Sequence, residues 1–245
     1  MVAVSHLVFV DESGNSAPGP AISSLWVCAA VAVPFARVRN LEIRLSQVVS
    51  ANFHPRMKEL KGTVMRQNLL HTRTLDQAAA DLCGLLTEFE THVWVSTTRA
   101  GCRSLQGKGI VFHEPKEIAR QLLLERINGF LNLGNYDPAS WLIVWDVSDV
   151  RELTDFSASV ASFENAYTGG PVNPRLFPLI LGGLSHDWAG LRLADIVSHL
   201  GLHKRGSDLG LNETNSAKAG LFATHVWPRL QKDAGGRTVG WKAWD

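Results

Sequence analysis

Leu7-Val8-Phe9-Val10-Asp11-Glu12-Ser13-Gly14-Asn15 joins an apolar run to a turn with no spacer between them. Leu7 to Val10 is short and rich in Val and Phe, and Glu12-Ser13-Gly14-Asn15 carries turn chemistry, which predicts a buried strand and its exit. Asp11 then stands at the carboxyl end of a buried strand, where ligand sites of α/β sheets gather. Working outward, Leu25 to Val33 predicts a second strand. No helix separates it from the first, so the two are expected to pair antiparallel. Pro34 is expected to open a helix that runs to about Ser50.

Further along, Ala78, Leu82, Leu85, Leu86 and Phe89 give helical spacing to Thr74–Glu90, and His92 to Thr98 alternates like a strand. Glu114-Pro115 opens a helix with Pro in its first turn, running to about Leu133. Trp141 to Val147 is a strongly apolar strand. Asp149 and Glu152 have the spacing of an N-cap and its partner for a further helix. Leu176 to Ile180 reads as a short strand, His186 to Lys204 as a helix, and Ala217 to Gln231 as another. Strands alternating with helices predict an α/β fold: a mixed, partly parallel sheet with helices on both faces. One domain over residues 1–245 is expected, with a C-terminal helical extension from about residue 206.

With 245 residues, 45% of them hydrophobic, the chain is long enough to bury a sizeable core. The formal net charge of +1 does not announce a nucleic-acid partner, but local charge is uneven. Residues 56–73 hold five basic side chains (Arg56, Lys58, Lys61, Arg66, Arg73) against one acid, Glu59, and Arg99, Arg103 and Lys108 stand in a stretch with none. Such patches can meet phosphates, or simply be solvated surface. Three widely spaced cysteines (Cys28, Cys83, Cys102) and no CxxC point to a reducing cytoplasm. The N-terminus has no signal-peptide pattern, and the longest apolar run, Leu25 to Phe35, is too short to span a bilayer, so no membrane is expected.

Several acids sit where acids are rare. Asp11 and Asp146 occupy strand ends, the latter inside Trp141-Leu142-Ile143-Val144-Trp145-Asp146-Val147. Asp195 lies in Trp188 to Leu202, a helix so apolar on all sides that it must be largely buried. A buried carboxylate needs a cation, a donor or a metal, or it takes a proton. Glu59 is the fourth acid. Each has a plain structural reading as well: turn chemistry for Asp11, loop orientation for Asp146, a salt bridge to Arg192 or Lys204 for Asp195, a surface pair for Glu59. Together they make the oxygen-rich set that magnesium and manganese prefer.

Val10-Asp11-Glu12-Ser13-Gly14-Asn15, Glu59-Leu60-Lys61-Gly62 and Gly190-Leu191-Arg192-Leu193-Ala194-Asp195 resemble, in that order, the motifs of a bacterial and archaeal family known as domain of unknown function 3800. That family is similar to the ribonuclease H-like fold, and the resemblance spans Val10 to about Leu200. It implies a metal site carried by Asp11, Glu59, Asp146 and Asp195, with Glu12 as a possible fifth acid. Metal-dependent phosphodiester hydrolysis of RNA or DNA is the expected activity, by two metals roughly 3.5–4 Å apart. Asp11 would bridge them, Lys61 would hold the scissile phosphate, and His199, one helical turn beyond Asp195, would serve the leaving group unless it is an ordinary helix histidine.

Two other readings stand beside it. Asp195, His199 and His203 sit at i, i+4 and i+8 on one helix face, a spacing that would serve a zinc hydrolase. A non-catalytic nucleic-acid-binding or scaffold protein would keep the acids as structure. Phosphate loops and dinucleotide fingerprints are absent from the sequence. Ser185-His186-Asp187 is no triad, because consecutive helical residues point about 100° apart.

Overall fold

The computed structural model describes residues 4–14, 19–57, 60–63, 65–100, 114–134, 137, 140–147, 154, 157–158, 180–183 and 187–244. Strands β1 (His6–Gly14), β2 (Leu25–Pro34), β3 (His92–Arg99), β4 (Trp141–Asp146), β5 (Ile180–Gly183) and β6 (Trp241–Trp244) form one sheet in the order β5-β4-β1-β2-β3-β6. β1 pairs antiparallel with β2, and β2 with β3, although two helices lie between the latter two in the chain; β4 runs parallel to β1, β5 to β4 and β6 to β3. The chain is therefore α/β with a mixed sheet, and β1 lies inside it, bonded on both sides.

Strand alternation divides the core in two. Leu7, Phe9, Ala29, Val31, Val95 and Val144 face α1 (Val38–Asn52), α2 (Leu75–Glu88) and α4 (Ala189–Asp208). Val8, Val10, Ala30, Trp94, Ile143 and Trp145 face α3 (Pro115–Leu133) through Ala119, Leu123, Ile127 and Leu131. Helices thus cover both faces, as the alternation of elements predicts.

The helix boundaries follow local chemistry. α2 opens on a capping box, with Gln77 N donating to Thr74 Oγ1 at 3.2 Å and Thr74 N to Gln77 Oε1 at 3.0 Å. α3 starts with Pro115 in its first turn. Pro34 does not open α1, because it still pairs with His6 at the end of β2; a 3-10 turn, Phe35–Arg37, intervenes. α4 has no cap from its own side chains. Glu42 Oε1 on α1 accepts from Ala189 N at 2.5 Å instead and fastens the amino end of α4. A Cβ on Gly190 would lie 2.0 Å from Phe9 Cδ2, so glycine lets α4 settle directly on β1.

The C-terminal part departs from the expected helical extension. The helix expected over Ala217–Gln231 is α5 (Ser216–Leu221), a π-helical turn (Phe222–Val226) and a 3-10 turn around Pro228. Phe222 and Val226 are fully buried in the main core, and the tail returns as β6 beside β3. The helix expected from Asp149 and most of the strand expected at Leu176–Ile180 lie outside the described residues. No described helix is long and apolar enough to cross a membrane.

Candidate functional site

The site forms because β1 does not end at Val10. It stays paired with β2 as far as Gly14, with Asp11 opposite Ala29. Alternation then puts Asp11 on the side of Phe9, towards α4, and Glu12 on the side of Val10, towards α3. On β1's other flank Val10 is in register with Trp145 of β4. The next step sets Asp11 beside Asp146, since neighbouring strands lie about 4.8 Å apart. Asp146 shares the side of Val144 and so also faces α4.

Asp195 reaches the same point from α4. Its Oδ2 accepts from Gly62 N at 2.6 Å, and its carboxyl group hydrogen-bonds that of Asp11. Asp11, Asp146 and Asp195 are thus brought to one side of the sheet, at the carboxyl ends of two parallel strands. Burial pushes the Asp11 carboxyl well above the usual carboxylate range, and the charges of Asp195 and Asp146 push it further. Burial also raises Asp195, against the opposing pull of the Gly62 N–H, the Lys61 charge and the bond with Asp11. Burial and like charge thus both work against ionising Asp11 beside Asp195. The salt bridges expected for Asp195 are not made: Lys204 pairs with Asp208 at 2.5 Å, and the Arg192 charge acts on Glu42.

Glu12 is a correction to the expected ligand set. It lies on the opposite face, where Arg120 Nε and Nη2 donate to its two oxygens at 2.7 and 3.1 Å. Cys28 Sγ donates to Oε1 at 3.2 Å, and the Arg120 guanidinium stacks 5.2 Å from the Trp145 ring centroid. This ion pair of buried Arg120 and largely covered Glu12 occupies the carboxylate on the α3 side of the sheet. Glu59 lies outside the described residues, as does Lys58. The described part of that loop, residues 60–63, is held at the cluster by buried Leu60 and by Gly62; Lys61 itself is exposed.

The expected zinc set does not assemble. His199 and His203 lie edge to face with centroids 4.9 Å apart, but His203 Nδ1 accepts from Asn215 N at 3.1 Å and His199 Nε2 faces Lys218 Nζ at 2.5 Å. Burial lowers His199 to about 3 and His203 to about 4, helped by the Lys218 charge, so both rings are neutral at pH 7.

Lys218 is a site residue that the sequence does not disclose, and Gly62 enters there only as the end of the Glu59-Leu60-Lys61-Gly62 motif. Lys218 follows the N-cap Asn215 by three positions, a spacing that signals only a helix start. Gly62 is needed because a Cβ there would lie 2.6 Å from His199 Cβ. Of the basic stretch, Arg56 and Arg66 are exposed, while Arg73 Nε donates to Ala51 O at 3.1 Å and is tied to the end of α1.

The donor chemistry of the three carboxylates suits a hard divalent cation. Among the described residues, however, no group of three or more His, Cys, Asp or Glu side chains is set to hold a metal ion. A scan of the sequence against models of protein families finds no match, and a search of curated proteins finds no similar one.

Proposed function

We propose that this chain is a divalent-metal-dependent nuclease of ribonuclease H-like architecture, with Asp11, Asp146, Asp195 and Glu59 holding magnesium or manganese. The observation that carries the proposal is the meeting of buried Asp11 and partly buried Asp195, carboxyls raised in pKa and drawn from β1 and α4, beside the strand-end Asp146. Such an arrangement is costly for stability alone, and it sits where α/β sheets bind ligands. The mixed sheet with helices on both faces supports the architectural part, and exposed Lys61, whose charge acts on Asp195, supports a phosphate-rich substrate.

A bound divalent cation would supply positive charge to the phosphoryl oxygens and lower the pKa of the attacking water. The protein's own part is positional. Asp11 and Asp146 project from adjacent, fully bonded strands and hold their carboxylates with little freedom to move. Asp195 is fixed by the Gly62 N–H, which leaves its other oxygen for the cluster. Lys61 brings a cation to the rim of the cluster.

A second reading has its own support. The 2.6 Å bond from Gly62 N to Asp195 pins the 60–63 loop to α4, as a purely structural acid cluster would. The two readings part on turnover. Purified protein is expected to cleave at least one of single-stranded RNA, DNA or an RNA–DNA hybrid with magnesium or manganese, and to stop on chelation. Inactivity on all three with both metals, or activity indifferent to chelator, would favour the structural reading.

A further inference from the structure

Among the described residues, Lys218 is a partly buried ammonium group whose surroundings include the acid cluster. It is about half-buried at the start of α5, whose N-cap Asn215 accepts from Lys218 N at 3.1 Å and donates its own N–H to His203 Nδ1 at 3.1 Å. The backbone carrying Lys218 is thereby fastened to α4. Its Nζ lies 2.5 Å from His199 Nε2 and 3.5 Å from Gly62 O. An ammonium only donates, so His199 Nε2 must present its lone pair, which the neutral ring provides. Gly62 ties the two charges together: its N–H goes to Asp195 and its carbonyl to Lys218.

Two of the three ammonium donors thus have acceptors, and both acceptors are neutral. Among the described residues no carboxylate oxygen is within salt-bridge reach of Lys218, although Asp195 is near enough for its charge to act on it. A partly desolvated cation with a donor to spare, held rigidly beside the carboxylates, is poorly explained as a structural ion pair. From this geometry we infer that Lys218 is a substrate-positioning residue, which donates to a non-bridging phosphate oxygen of the nucleic-acid backbone and seats it against Asp11, Asp146 and Asp195. The inference rests on the nuclease reading. It adds a second cation, fixed from within the fold, to the exposed Lys61 at the rim.

Binding tests it without turnover. Anisotropy of a labelled single-stranded oligonucleotide and of a duplex would be followed against salt, with calcium replacing magnesium, for wild type, K218M and K218R. Methionine removes the charge and suits the partly buried position, so folding is expected to persist; thermal melting of each variant checks it. K218M is expected to bind several-fold more weakly. Its slope of log affinity against log salt should be shallower by about 0.7 on the single strand and about 0.9 on the duplex, the loss of one phosphate contact. K218R, which keeps a donor cation, should recover the slope. A K218M protein that binds like wild type, or more weakly at unchanged slope, overturns the role of Lys218 and leaves the nuclease reading standing. A wild-type protein with no affinity for either oligonucleotide overturns both.

Discussion

Asp11 and Glu12 are adjacent acids with opposite employment, and the pleat of β1 is the reason. One step along an extended chain turns a side chain to the other face, so Asp11 meets Asp195 while Glu12 meets Arg120. Environment sets titration as firmly as it sets partners. His6 stacks on Trp141 with ring centroids 4.1 Å apart, and burial, followed by the nearby His92, lowers its pKa from 6.5 to about 4. Between those values the unfolded chain binds a proton at His6 that the folded chain refuses. The His6 contribution to stability is therefore complete above about pH 6.5 and is lost as pH falls towards 4. Resonances of His6 followed by NMR should titrate near pH 4 and not near 6.5; an ordinary titration would mean that the ring is solvated. Asp11 and Asp195 were legible in the sequence because a carboxylate inside an apolar strand or helix needs compensation. Glu12 was misassigned because the turn residues after Val10 concealed four more residues of strand, and because its partner stands far along the chain. Lys218 was illegible, since its meaning comes from His199 and Gly62, which only the fold brings to it.

At the scale of elements, the position of the site depends on how closely α4 lies on β1. Gly190 sets that distance, because any side chain there would strike the ring of Phe9, which is itself fully buried and has nowhere to go. Gly190→Ala would raise helix propensity at that position, which taken alone is stabilising. Overpacking against Phe9 should win, at a cost of about 1–3 kcal/mol, and each kcal/mol lowers the Tm of a domain this size by about 2–4 °C. Thermal melting checks it; an unchanged or higher Tm would show that α4 can back away from β1 freely. The same substitution should blunt any metal response, since Asp195 rides on α4. The strands and helices with strong local signals, such as the apolar spacing of Thr74–Glu90 and Pro115 in the first turn of α3, are readable in the sequence. β6 was not. It is a four-residue edge strand whose two tryptophans, Trp241 and Trp244, have no pattern of their own and acquire one only from pairing with β3.

For the molecule as a whole, the fold class followed from alternating elements, whereas no global property such as the net charge of +1 pointed to a partner. What links the acid cluster to the stability of the entire fold is linkage between protons, metal and folding, and Asp195→Asn tests that link. In the metal-free protein Asp195 lies partly buried beside Asp11 and Asp146, and its ionisation works against desolvation. A carboxylate whose pKa is raised by folding costs stability as pH rises above its unfolded value of 3.8, because the folded chain then holds protons that the unfolded chain has released. Asparagine keeps an oxygen to accept the Gly62 N–H and carries no charge to desolvate. The metal-free variant should therefore melt at the same temperature as wild type or higher at neutral pH, with its advantage shrinking as pH falls towards 4. Manganese should stabilise wild type in proportion to the logarithm of its concentration above Kd, and the variant much less, since that gain comes from occupancy of the folded state alone. If Asp195 instead serves mainly to pin the 60–63 loop, the variant should lose Tm without metal and keep whatever metal response the wild type has. Paired melts across pH, with and without manganese, separate the two outcomes without requiring a substrate.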